Sequence, residues 1–213
     1  MIDVHKLQVK DGLGWAVFLS EAERARADRF RLQADHDRFV AGRGAIRWFV
    51  GKALGSDPAA LAFGEGPHGK PYVLGEPRVH FNVSHSGEWV LLALAERHEV
   101  GVDVELMRAD LDVMEIAPTV FTPGEITSLL SLPADARREA FYRLWARKEA
   151  VLKAWGTGFS LDAHDVHIGI EPTSAALIQA PLGDYPPAIV RDVAVDGAHA
   201  AAVATTDLDA SIA

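Results

Sequence analysis

Cysteine is missing from all 213 residues. Its absence excludes disulfides, a thiol nucleophile and any metal site held by thiolates. Long apolar runs are missing too. Although 49% of the residues are hydrophobic, no stretch approaches the ~18 that a membrane span needs. The opening, MIDVHKLQVK, scatters charges where a secretory leader has an apolar run, so no signal peptide is expected. Positive charge is scarce, with 21 basic against 30 acidic residues and a net charge of −9. That balance argues against general nucleic-acid binding. The expectation is a soluble, cytoplasmic, monomeric protein with no membrane or nucleic-acid partner, long enough for one large domain or two small ones.

What is present reads as helices followed by strands, twice over. In the first half MIDVHKLQV is an opening strand and SEAERARADRF a helix, with Ser20 as N-cap and Glu21 and Glu23 in its first turn. DRFVAGRGAIRWFVGKALG is a second helix stopped by Gly55. Short strands follow at LAF, VHFNVS, WVLLALA and EVGVDVE, with a hairpin at Gly87-Glu88. In the second half FTPGE is a helix start: Thr122 as N-cap, Pro123 first in the helix, Glu125 closing a capping box. ARREAFYRLWARKEAVLKAWG is the longest helix expected, ended by Gly156, and strands are expected around DVHIGI, AIVRDVAV and HAAAVAT. The matching order predicts two similar α+β lobes, 1–106 and 107–213, joined at LMRADLD.

Four stretches carry residues of chemical interest. In EVGVDVE, Val100, Val102 and Val104 share one face of a strand and Asp103 and Glu105 the other, about 6.6 Å apart. Two readings are open: the acids face water, or they face a hard cation such as magnesium, which takes oxygen ligands. On the long helix Glu149 and Lys153 are four residues apart, either a surface ion pair or a metal ligand with a phosphate contact. Ser84 and His85 stand at a strand end in HFNVSHSGEW, without the strand-turn-helix elbow of a serine hydrolase. They are turn residues or phosphate donors. GEGPHGKP is glycine-rich, but Pro71 follows Lys70 where a P-loop needs Ser or Thr. Seven arginines face three aspartates between Arg24 and Arg47, a solvated face or a phosphate surface.

The order GKP, FNVSHS, GVDVE, WARKEAVLKAWG resembles the Sfp-type 4'-phosphopantetheinyl transferases over about Arg24 to Phe159, including a G-x-G at Gly156 and Gly158. The resemblance implies a pseudo-dimer of two α+β lobes with coenzyme A in the cleft between them. It implies transfer of the phosphopantetheine arm to a serine of an apo acyl or peptidyl carrier protein, with 3',5'-ADP leaving. Asp103, Glu105 and Glu149 would bind magnesium, for which manganese can substitute, and Glu149 would help deprotonate the carrier serine. Ser84, His85 and Lys153 would hold the phosphates, Lys70 would sit near the adenine nucleotide, and Arg38 and Arg26 would hold the 3'-phosphate. Where relatives carry a further lysine, this chain has Glu23. The carrier, acidic in this family, is expected to dock through apolar contact around Phe121 to Leu132. A non-catalytic coenzyme A-binding module is the alternative; loss of Glu149 or Lys153 would favour it, and both are present.

Overall fold

The computed structural model describes residues 1–157, 161–171, 176–178 and 185–211. Strand β1 (Ile2–Gln8) leads through a one-turn helix α1 (Val9–Gly12) to α2 (Glu21–Ala27) and α3 (Gln33–Leu54). A short hairpin of β2 (Phe63–Glu65) and β3 (Pro71–Val73) follows, then β4 (Val79–Ser86), β5 (Trp89–Glu96) and β6 (Val100–Leu106). The second half holds α4 (Val113–Ile116), α5 (Pro123–Ser131), α6 (Arg137–Trp155), β7 (Ala176–Ile178), β8 (Ala188–Asp192) and β9 (His199–Thr205). One antiparallel sheet runs β1-β5-β4 and a second runs β6-β9-β8-β7.

Two-residue alternation explains how these pieces stack. Leu92 and Leu94 of β5 pack with Ile46 and Val50 of α3, and Val90 packs with Ala41 and Ala45 of the same helix. The intervening Leu91, Ala93 and Ala95 pack against Val100, Val102 and Val104 of β6 and Ala201 and Val203 of β9. The opposite face of β9, Ala200, Ala202 and Ala204, lies under α6. The order of layers is therefore α3, first sheet, second sheet, α6. WVLLALA is apolar throughout because β5 is covered on both faces. The runs of alanine in β9 let α6 approach closely. The molecule is α+β, each lobe an antiparallel sheet with helices on its outer face.

Local signals hold where the sequence carried them. Ser20 and Thr122 each complete a capping box, with Glu23 and Glu125. Gly55 and Gly156 end their helices in the left-handed conformation, at φ 63° and 65°. Gly87, at φ 55°, opens the two-residue turn between Ser86 and Trp89.

Four expectations need correction. The longest helix is α3, with 22 residues against 19 in α6. It begins four residues before the expected Asp37, because Gln33 donates to Asp37 and Arg38 to Asp35 across its first turn. Ala27 ends α2 three residues short of the expected Phe30. No strand forms at 165–170: the N–H of Ile168 goes to the Glu125 carboxylate at 2.7 Å instead of a neighbouring strand, while Val166 and Ile168 fill the core. Finally, β6 pairs with β9, so its residues belong by hydrogen bonding to the second sheet. LMRADLD marks the end of β6, one strand after the chain has changed sheets. Gly158 and Phe159, the far end of the recognised motif, lie outside the described residues.

Candidate active site

The two sheets meet where β4 runs beside β6, and side chains of one strand serve the backbone of the other. Asn82 accepts a hydrogen bond from the Val102 N–H at 3.0 Å, Ser84 from Val104 at 3.4 Å and Ser86 from Leu106 at 3.0 Å. The acidic face of β6 does not face water. It turns toward α6, which comes so close at Gly101 that a Cβ there would lie 2.1 Å from the Ala150 carbonyl oxygen. Glycine is the residue that permits this approach.

Asp103 is consequently 2% exposed. Its Oδ1 accepts from the Ser84 hydroxyl at 2.9 Å and from Lys153 Nζ at 2.5 Å. Its Oδ2 is buried and finds no hydrogen-bond partner among the described residues. Burial pushes the Asp103 carboxyl above the usual range, and Lys153 and Ser84 pull it part of the way back. Lys153 also donates to Ser84 Oγ at 3.2 Å and to the Val102 carbonyl at 3.4 Å. Its ion pair is with Asp103 across the helix–sheet junction, rather than with Glu149 one turn back on its own helix.

Glu105 is held from both sides. Trp145 Nε1 on α6 donates to its Oε1 at 3.0 Å and Ser86 Oγ donates to its Oε2 at 3.4 Å. Burial, then the charge on Asp103, raises its carboxyl. Glu149 is raised by burial, with Lys153 opposing and Asp103 reinforcing the shift. The three carboxylates are thus within electrostatic reach of one another, and burial penalises the charge on each. Among the described residues no three acids or imidazoles already stand close enough to enclose an ion. The chemistry of the set nevertheless fits a hard dication: three oxygen donors, one with an unused buried oxygen, and a lysine bonded to the innermost acid where a cation is wanted.

A cleft of about 660 Å³ opens beside this cluster. Arg38, His85, Ser86, Gly87 and Glu105 line its polar side, and Leu111, Ile116, Val120, Phe141, Tyr142 and Trp145 its apolar side. Arg38 is braced by Asp35 at 2.6 Å and reaches the Gly87 carbonyl at 3.4 Å. Burial, together with the charges of Arg38 and Lys153, holds the His85 imidazole below its ordinary pKa, which favours its neutral form.

The remaining sequence-predicted residues are placed elsewhere. Lys70 lines a separate cavity of about 250 Å³ with His80, Glu99 and Trp155. Its three donors go to Glu99 at 2.6 Å and to the carbonyls of Val100 and Ala154 at 3.1 Å, tying its loop to the C-terminal turn of α6. Arg26 is exposed and lies over the Phe39 ring at 5.2 Å, outside the residues that line the cleft. Glu23 is buried, caps α2 and pairs with Arg43 and Arg47, which accounts for an acid at this position. Of the apolar segment expected to meet a carrier, Phe121 and Leu129 are core, Ile126 and Leu132 are half-buried, and Leu130 is 52% exposed. Sequence reasoning did not single out Trp145, Asp35 and Ser86 for the site. Trp145 could have been found: it stands one helical turn before Glu149, on the same face.

Two family models match the chain in succession. Residues 10–97 match one described as 4'-phosphopantetheinyl transferase, N-terminal, and residues 99–204 one described as the 4'-phosphopantetheinyl transferase superfamily. They meet at the connection into β6, where the sheets also change. A 4'-phosphopantetheinyl transferase of Bacillus subtilis is 32% identical over 191 residues, 90% of this chain and 84% of that one. The 4'-phosphopantetheinyl transferase HetI of Nostoc sp. is 38% identical over 168 residues, 77% and 70% of the two chains. The psf-1 transferase of Bacillus pumilus is 33% identical over 188 residues, 88% and 79% of the two.

Proposed function

Because the chain belongs to the Sfp-type 4'-phosphopantetheinyl transferases, we propose that Asp103, Glu105 and Glu149 hold a magnesium ion against the pyrophosphate of coenzyme A. The enzyme transfers 4'-phosphopantetheine onto carrier proteins; the finer assignments here are of donor geometry, metal and residue roles. The observation that carries them is Asp103, a buried acid with one oxygen unused. Lys153 balances one of its oxygens, and the other is left for a second cation.

In this reading Lys153 passes from Asp103 to the phosphates, and the neutral His85 donates a hydrogen bond to them. Arg38 takes the 3'-phosphate, the one dianionic group of the donor, in the polar half of the cleft. The oxygen of the carrier serine attacks the phosphorus that bears the pantetheine arm, the bond to 3',5'-ADP breaks, and Glu149 receives the serine proton. The bound ion, magnesium or manganese, would neutralise the pyrophosphate oxygens and the charge growing on the leaving group. Lys70, at the edge of its own cavity beside Glu99 and Trp155, is assigned near the adenine nucleotide, and Arg26 is assigned with Arg38 to the 3'-phosphate. The acceptor is an acyl or peptidyl carrier protein. Both walls of the cleft come from one chain, which supports action as a monomer, and the lack of cysteine agrees with a cytoplasmic setting.

Intact-mass measurement of an apo carrier incubated with the enzyme, coenzyme A and Mg²⁺ tests the assignment. The carrier should gain one phosphopantetheine group, Glu149→Gln should abolish most of the gain, and withholding the metal should do the same. Near-normal transfer by Glu149→Gln would remove that residue from the chemistry.

A further inference from the structure

Ser84 and Ser86 make the same pair of bonds, two residues apart. Ser84 Oγ accepts from the Val104 N–H at 3.4 Å and donates to the Asp103 carboxylate at 2.9 Å. Ser86 Oγ accepts from the Leu106 N–H at 3.0 Å and donates to the Glu105 carboxylate at 3.4 Å. Asn82 supplies a third rung, to the Val102 N–H, but the residue beside it on the acidic face is Gly101, which has no side chain to receive anything. Three rungs in register run along one edge of β6, whose other edge is paired with β9. Each satisfies a backbone N–H that no strand meets.

The consequence is directional. A hydroxyl has one proton and can turn freely about its C–O bond. When a fixed N–H points at its lone pairs, the proton is turned away from that N–H and onto the neighbouring carboxylate. We infer that Ser86 is a positioning residue for the metal site. It orients Glu105 from the first lobe while Trp145 holds the other carboxylate oxygen from the second. The ladder thereby converts the alignment of two sheets into the alignment of two carboxylates. The inference rests on the reading of Asp103, Glu105 and Glu149 as metal ligands, and it gives Ser86 a role distinct from phosphate contact.

The test is Mn²⁺ binding to the full chain with coenzyme A present, read as free Mn²⁺ by electron paramagnetic resonance. Outer partners of metal ligands typically contribute 10- to 100-fold in affinity. With a bond as long as 3.4 Å, Ser86→Ala should sit at the low end, weakening Mn²⁺ about tenfold. Ser86→Thr, which keeps the hydroxyl, should bind nearly as the parent does. The melting temperature of Ser86→Ala without ligands should hardly move, because its rung is exposed and water can take over the Leu106 N–H, whereas the Asn82 rung is buried. Asn82→Ala should do the reverse, melting lower while binding Mn²⁺ as the parent does, because its rung serves no carboxylate. Parent-like binding by Ser86→Ala, or an equal weakening by Asn82→Ala, overturns the inference. If Asn82→Ala does not fold, the contrast between Ser86→Ala and Ser86→Thr decides alone. Asp103→Ala separates the two levels of argument. If it loses Mn²⁺ while Ser86→Ala does not, only the role of Ser86 falls; if it too binds normally, the metal reading falls and takes this inference with it.

Discussion

Lys153 Nζ lies 2.5 Å from Asp103 Oδ1, and the two partners are unequally covered: the lysine side chain is 29% exposed, the aspartate 3%. Removing the lysine strands a buried carboxylate, whereas removing the aspartate frees an ammonium that can reach water. Lys153→Met should therefore lower ligand-free stability by about 3 kcal/mol, while Asp103→Ala costs much less. Both should lose most transfer. Mg²⁺ should raise the melting temperature of Lys153→Met more than that of the parent, since the dication replaces the missing charge. Thermal melts of the three proteins with and without Mg²⁺ check the ordering.

Arg38 stands in the cleft with one edge of its guanidinium on Asp35. Arg38→Ala should raise KM for coenzyme A roughly ten- to 150-fold, the worth of a charge-assisted bond of about 1.5–3 kcal/mol. For 3'-dephospho-coenzyme A the KM should hardly change, because the group that Arg38 contacts is missing. Steady-state kinetics with the two donors decides; equal losses would place Arg38 elsewhere.

At Gly101 a new Cβ would meet backbone on α6, 2.1 Å from the Ala150 oxygen and 2.3 Å from the Ala154 nitrogen. No side-chain rotation relieves contacts of that kind. Gly101→Ala should destabilise the protein by at least about 1–3 kcal/mol, and it should displace the helix that carries Glu149 and Lys153. Urea titration should show the lower midpoint, and activity per folded molecule should fall as well.

Lys148 precedes Glu149 in the helix, but it is fully buried, donating to Glu125, to Val120 O and to Ala163 O. Lys148→Met should cost about 3–5 kcal/mol, the penalty for leaving one member of a buried pair behind. KM for coenzyme A in the folded fraction should stay unchanged. A large KM effect would mean that Lys148 reaches the donor.

Glu99 is paired with Lys70 and His80, and these partners hold its carboxyl down at about 2 against an ordinary 4.5. A depressed acid stabilises the fold above its unfolded pKa, and that contribution fades as pH falls toward the folded value. Parent and Glu99→Gln should therefore differ in urea midpoint at pH 6, and the gap should narrow from about pH 4.5 downward. A gap that widens with acid would contradict the assignment.

Much of this site was legible because its signals are local. Capping residues such as Thr122 and Gly156 act on their own turn, and the ordered motifs from Lys70 to Lys153 survive as strings. The partners were not legible. Nothing near Lys153 in sequence says that its carboxylate is Asp103, 50 residues away, when Glu149 stands at helical spacing. Nothing near Lys70 says that the end of α6 consumes its donors. The false strand at 165–170 has the same origin. Alternating Val166 and Ile168 recorded burial, while the backbone pairing that makes a strand was pre-empted by Glu125.

The layer of valine, leucine and alanine between the two sheets bears on how the enzyme can move. Proteins that close on a substrate by hinge bending keep a wet, slender seam between their parts. Here the seam is a dry core, so opening it would mean exposing the interior of the protein. That packing opposes a hinge between the sheets, so a donor bound in the cleft as proposed would meet a gap already set. In the proposed site, the expected rearrangement is confined to side chains: Lys153 leaving Asp103 and Arg38 turning on Asp35. A chain cut at the turn before β6 would leave two fragments with bare apolar faces, and neither should persist in water without the other.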